Sequence, residues 1–265
     1  MKLNEIVERL AEQVKVVDDI IPPNNDKYIG SIGTANEKII VHHLIQEWLN
    51  SYPEELPNVI MKERKKGKER GNFEISYQHK KQIKLDFGFS SSTADIGFDN
   101  LNNLEWAIEF KKINFVGDTG ADFSERAVGK LTSPLPATGP ILLDALRIRK
   151  HEYGHRRAVI LLSPDVLKEQ LQVCKDHPRR YDRHFPDREL DRHSVLKGTF
   201  TKNENLNFES VPLFPLIESI FDLHDIEYSD CVYQTVTGLT RHPIFSRLTI
   251  AGWEIFSDAQ TDHKS

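Results

Sequence analysis

Leu104-Glu105-Trp106-Ala107-Ile108-Glu109-Phe110-Lys111-Lys112-Ile113 is the stretch that decides the fold. Its first eight residues alternate, the period of a strand with one face buried. Trp106, Ile108 and Phe110 fall on one side, and Glu105, Ala107, Glu109 and Lys111 on the other. Upstream, Ala94-Asp95-Ile96-Gly97-Phe98-Asp99 reads as a shorter strand, and Asn100-Leu101-Asn102-Asn103 between the two is turn-rich. The pattern predicts a β-hairpin with Asp95 on its first strand and Glu109 and Lys111 on its second. Period two places Glu109 and Lys111 on one side, so two carboxylates and an ammonium can meet at one sheet edge.

That trio has a chemical use. Mg²⁺ is a hard cation that prefers oxygen ligands and keeps several waters, so two carboxylates are enough to hold it. A bound divalent metal activates water and stabilises charge on a phosphoryl oxygen. A lysine beside it can orient the attacking water. Together these are the parts of a metal-assisted phosphodiester hydrolysis.

Asp95, thirteen residues, then Glu109-Phe110-Lys111 on an alternating strand resembles the PD-(D/E)XK nuclease superfamily, which includes many type II restriction endonucleases. Ala94 stands where the motif's nominal proline would be. The resemblance implies an α/β restriction-endonuclease-like core, a mixed central β-sheet flanked by helices. It implies that Asp95 and Glu109 bind Mg²⁺, with Mn²⁺ as a substitute, that the Phe110 carbonyl adds a ligand, and that Lys111 positions or activates water. Double-stranded DNA is the implied substrate. A homodimer is the implied assembly, because two-fold protein symmetry mirrors a palindromic site.

Other residues compete for these roles. Glu63-Arg64-Lys65 also fits Glu-x-Lys, but it sits in a charge run without strand alternation. Asp86, in the alternating run Ile83-Lys84-Leu85-Asp86-Phe87-Gly88-Phe89, is a rival for the metal-binding aspartate; Asp95 is preferred because it begins the predicted hairpin. Glu37 opens a helix expected over 34–50. Thr34 with Glu37 three residues later fits a capping box. Gly33-Thr34-Ala35-Asn36-Glu37 is also similar to a Gly-x-x-x-Glu pattern whose glutamate reaches the metal site in several restriction endonucleases. The two readings of Glu37 stand side by side.

Composition bounds the rest. The chain has 265 residues, 38% apolar and 28% charged, with a net charge of −5. That length gives one large domain or two small ones with ample core. The expectation is one nuclease domain over 1–265, with a helical arm at 1–33, a catalytic core at 34–175 and an elaboration at 176–265 offering a recognition or dimer surface. No apolar run approaches the ~20 residues of a membrane span, and the start lacks the apolar core of a signal peptide. Cys174 and Cys231 are too few for a disulfide framework or a four-cysteine zinc site. A cytoplasmic protein without membrane contact is expected.

Further along, Leu3, Ile6, Val7, Leu10, Val14 and Val17 follow helical spacing. Lys62 to Arg70 is a basic run, read either as a solvated loop or as a phosphate-contacting one. Asn114 to Pro136 has the composition of a loop, and its place after the active strand suits one that closes over substrate. Ile141 to Lys150 is an expected helix with Leu142, Leu143, Leu146 and Ile148 inward and Arg147, Arg149 and Lys150 outward. Arg156 to Leu162 is an expected buried strand. Ser163-Pro164 then reads as a helix cap with proline at the first position. His151-Glu152-Tyr153-Gly154-His155 matches the zinc-protease signature, but Gly154 would break the helix it needs, and four cations flank it. Residues 175–193 alternate in charge sign, as an ion-paired surface does. A short helix around 216–223 and strands at 231–236 and 250–256 complete the chain.

The expected function is Mg²⁺-dependent cleavage of double-stranded DNA by Asp95, Glu109 and Lys111, with Glu37 as an accessory acid. The rivals are a repair or RNA-cleaving nuclease on the same core, and a non-catalytic module that binds DNA or a partner subunit.

Overall fold

A six-stranded mixed sheet runs through the molecule, its strands ordered Asn58–Met61, Phe87–Ser90, Trp106–Lys112, Arg156–Asp165, Arg247–Glu254, Val232–Thr237. The computed structural model describes residues 1–22, 30–56, 58–61, 63–66, 73–76, 86–90, 104–117, 127, 130, 140–150, 154–167, 210–242 and 244–257. Its strands are β1 (Asn58–Met61), β2 (Glu63–Lys66), β3 (Phe73–Ser76), β4 (Phe87–Ser90), β5 (Trp106–Lys112), β6 (Arg156–Asp165), β7 (Val232–Thr237) and β8 (Arg247–Glu254). The helices are α1 (Leu3–Ile20), α2 (Glu37–Ser51), α3 (Ile141–Arg149) and α4 (Phe214–Leu223). Strands β2 and β3 pair with each other in a separate two-stranded sheet.

The alternation along β5 explains how it is buried. Trp106, Ile108 and Phe110 join a core with α1, α2, Phe87, Phe89, Ile160 and Ile250. Ala107, together with Val159, Leu161 and Trp253 of neighbouring strands, joins a second core with α3 and α4. Helices therefore cover both faces, giving three layers. Such a sandwich suits a strand with apolar residues on both sides. Trp48 of α2 packs on Phe87 and Phe89, ring centroids 6.2 and 6.0 Å away. α1 is no detached arm: Leu3, Ile6, Val7, Leu10, Val14 and Val17 are buried, as helical periodicity predicts.

β5 pairs antiparallel with β4, Phe87 opposite Ile108, and parallel with β6, Trp106 opposite Arg156 through Lys112 opposite Leu162. The parallel step from β5 to β6 brackets α3, as a crossover requires. Because both edges of β5 over Trp106–Ile108 are taken, its hairpin partner is Phe87–Ser90, where the alternation predicts 94–99. Asp95 lies outside the described residues.

Three more local expectations change. Ser163 and Pro164 start no helix; they continue β6, paired with Thr249 and Leu248 of β8. Ile113 N–H bonds to the Leu162 carbonyl, so by alternation Pro164 turns its missing donor to the β5 side at the strand's end, where the parallel ladder stops. Glu63–Lys66, in the basic run, is a strand. Thr34 is no N-cap: Asn36 takes that place, without a side-chain capping bond, and Thr34 bonds to Ser31 instead. Of 114–136, only 114–117, 127 and 130 are described, and 175–193 lie outside the described residues. Among the described residues no helix is long and apolar enough to cross a membrane.

Candidate active site

The site forms where β5 outruns β4. Ile113 N–H points to β6, so the amides of Phe110 and Lys112 point to the opposite edge, which β4 no longer covers. Backbone donors of that kind must find partners. Both find carboxylates. Asp86, one residue before β4, accepts the Phe110 N–H at 3.0 Å. Glu37, the first residue of α2, accepts the Lys112 N–H at 2.5 Å. The glutamate that could have closed a capping box thus reaches across to β5.

The side chains of Glu109 and Lys111 leave the strand on the α3 side. Asp86 immediately precedes Phe87, which pairs with Ile108, so it lies at the same end of the sheet. α3 brings two more charges. Asp144 Oδ2 lies 2.6 Å from Lys111 Nζ, and Arg147 lies 2.5 Å from Asp144 Oδ1 and 3.4 Å from Glu109 Oε1. Glu109 is only 2% exposed and Asp144 3%. Four carboxylates, Glu37, Asp86, Glu109 and Asp144, therefore share this end of the sheet with Lys111 and Arg147.

Packing so many acids into a buried space affects their protonation. Burial raises Glu37 above its usual range, opposed by Lys111 and by the Lys112 N–H, and Asp86 and Asp144 push it the same way as burial. Burial also raises Asp144, against the pull of Lys111 and Arg147, with Asp86 again adding to the rise. The neighbouring Lys112 is 6% exposed and faces the other way, into the turn before α2. Its Nζ donates to the carbonyls of Gly33 at 2.9 Å and Ala35 at 2.7 Å. Burial pushes its ammonium down to about 7, with Glu37 opposing and Lys130 adding to the drop.

Of the residues singled out in the sequence, Glu37, Glu109, Phe110 and Lys111 come together here. The Phe110 ring is in the α2-side core, and its main chain lies at the uncovered edge beside Asp86. Asp86 reaches this edge of β5 through the Phe110 N–H. Sequence reasoning missed Asp144 and placed Arg147 on the outer side of its helix. The signal was there: Asp144 lies three residues after Ile141 and four before Ile148, both buried, so helical spacing puts it on the inner face.

Oxygen donors alone, without thiolate or imidazole, suit a hard cation. Among the described residues no group of three or more His, Cys, Asp or Glu side chains is arranged to hold a metal ion. Mg²⁺ does not require such a group, since substrate oxygens and waters fill most of its shell. The upward shifts of Glu37 and Asp144 come first from burial, with Asp86 adding to both.

The zinc-protease match does not survive. α3 ends at Arg149, Gly154 has φ +83°, and His155 sits just before β6. The two histidines do not share a helix. Gly154 is also held close to Ala107, where a Cβ would come within 3.1 Å. Compared with protein families, with curated proteins and with solved structures, the chain finds no match.

Proposed function

We propose that this protein is a Mg²⁺-dependent endonuclease that hydrolyses phosphodiester bonds of double-stranded DNA, with a restriction-endonuclease-like core. Its main support is the convergence of Asp86, Glu109 and Lys111 at the uncovered end of β5, with Glu37 from α2 at the same edge. The order of elements agrees: a helix carrying Glu37, antiparallel strands carrying the acids and lysine, then helix α3 and parallel strand β6.

In this reading Asp86 and Glu109 hold the cation, with Asp86 in the seat that the sequence gives to Asp95. When bound, the cation activates water and stabilises charge on the phosphoryl oxygen. Lys111 orients the attacking water, and Asp144 holds its ammonium in place. Arg147, half-exposed and already beside Glu109, is placed to meet the negative substrate. Glu37 borders the site and adjusts its charge. A homodimer acting on a two-fold symmetric site is the matching assembly.

The test is digestion of plasmid DNA by the wild type and Lys111→Ala, each with Mg²⁺ and with EDTA. Discrete Mg²⁺-dependent fragments that vanish in Lys111→Ala are expected. Cleavage of RNA in place of DNA, or smearing, would move the assignment to another nuclease duty. DNA binding without cleavage would make the protein a non-catalytic module.

A further inference from the structure

Lys111 and Lys112 are adjacent in the chain and do opposite things. Lys111 meets the acids. Lys112 turns under α2 and donates to two main-chain carbonyls, Gly33 and Ala35, while its own N–H is taken by Glu37. Asn114 Nδ2 also donates to the Gly33 carbonyl, at 2.9 Å. Gly33 in turn is pressed against Phe245: a Cβ there would lie 2.0 Å from the ring. The turn that launches α2 is thus gripped from the β5 side by Lys112 and Asn114 and backed by Phe245. Asn36, the N-cap, makes no side-chain cap of its own.

Burying an ammonium costs free energy, and a methionine would fill the same space without that cost. Two carbonyl acceptors are what the cation supplies for and the methionine would not. We propose that Lys112 is a positioning residue: it clamps the turn at Gly33–Ala35 to the end of β5 and so sets Glu37 at the edge of the acidic site. This rests on the nuclease reading above. A helix terminus that could fray is held in register with a strand, and the placement of Glu37 no longer depends on α2 alone. Outer-shell partners of this kind typically matter by about 10–100-fold in metal affinity or activity.

The experiment compares wild type, Lys112→Met, Glu37→Gln and the double variant, in plasmid cleavage against Mg²⁺ concentration and in urea unfolding. Lys112→Met is expected to lower kcat and raise the half-saturating Mg²⁺ by about tenfold or more, leaving KM for DNA unchanged. The double variant should be no worse than Glu37→Gln alone, because both act through one carboxylate. A lysine that merely stabilises the fold would lower the folded fraction and leave kcat and Mg²⁺ response of the folded protein intact, and that result would overturn the assignment while the nuclease reading stands. If wild type itself neither cleaves nor responds to Mg²⁺, the nuclease reading fails. The clamp is then judged from unfolding alone: the effects of Lys112→Met and Glu37→Gln on the unfolding equilibrium constant should depart from simple multiplication by about fivefold or more, and strict multiplication overturns it. Should Lys112→Met not fold, Asn114→Ala, which removes one donor from the Gly33 carbonyl, carries the same comparison with a smaller expected change.

Discussion

Lys111 Nζ lies 2.6 Å from Asp144 Oδ2, and both side chains are largely buried, 12% and 4% exposed. A buried pair is costly to break from one side, because the remaining charge is left less fully compensated. Asp144→Ala is therefore expected to destabilise the protein by about 3 kcal/mol, and Lys111→Met by less, because Arg147 still lies 2.5 Å from Asp144. The double variant should recover much of the loss, with a coupling of about 2 kcal/mol in a urea double-mutant cycle. Additive losses would mean that the two charges are held by other neighbours.

Glu37 yields a prediction of opposite sign. Its folded-state pKa is raised above 4.5, chiefly by burial, so ionisation costs the fold something at neutral pH. The linked stability is fully present below 4.5 and is lost as pH rises through the folded value. Glu37→Gln keeps an acceptor for the Lys112 N–H and removes the charge. At pH 7 the variant should be more stable than wild type, read as a higher Tm, while its Mg²⁺-dependent cleavage falls. The gain should shrink as pH approaches 4.5. A less stable Glu37→Gln at pH 7 would show that the carboxylate is a structural anchor.

Much of this was legible in the sequence. Helical spacing marks α1, α2 and α4, and alternation marks β5 and the two sides of it. The pairing of β5 was not legible. Phe87–Ser90 and Ala94–Asp99 are both short and partly apolar, and a strand of four residues carries too little pattern to choose its own partner or register. That ambiguity decides between Asp86 and Asp95. Asp144 was missed because a charged residue on a helix is ordinarily solvated; only its spacing with Ile141 and Ile148 marks it as inward. Ser163-Pro164 misled because the proline's position at the end of β5, where the parallel ladder stops, is a property of the assembled sheet. Glu37 had two readings in the sequence, and the structure ties its carboxylate to Lys112.

Lys112 gives the clearest pH signature. Its ammonium is pushed down to about 7 by burial, from an ordinary 10.5. Between those values the unfolded chain binds a proton that the folded chain does not, so stability rises with pH across this window. The linked stability is present above 10.5 and is lost as pH falls through 7. Relative to Lys112→Met, wild type should gain about 2 kcal/mol between pH 7 and 9, at ~1.4 kcal/mol per pH unit. Urea unfolding of both proteins at the two pH values measures it. A pH-independent difference would mean that Lys112 stays charged in its turn throughout.

Single-residue variants distinguish the two candidate aspartates. Asp86 accepts the Phe110 N–H, so Asp86→Asn keeps one acceptor oxygen and the local fold while removing the charge that the proposed cation needs. Its cleavage of plasmid DNA should fall at least about 100-fold, a loss of about 2.7 kcal/mol in transition-state stabilisation, with circular dichroism and Tm close to wild type. Glu109→Gln should behave alike, and Asp95→Asn is the informative control. Loss of cleavage in Asp95→Asn with full activity in Asp86→Asn would return the metal aspartate to the position that the alternation first suggests, and would leave Asp86 as the group that caps the β5 edge. Loss in both would place a third carboxylate around the cation and make the long connection between β4 and β5 part of the site.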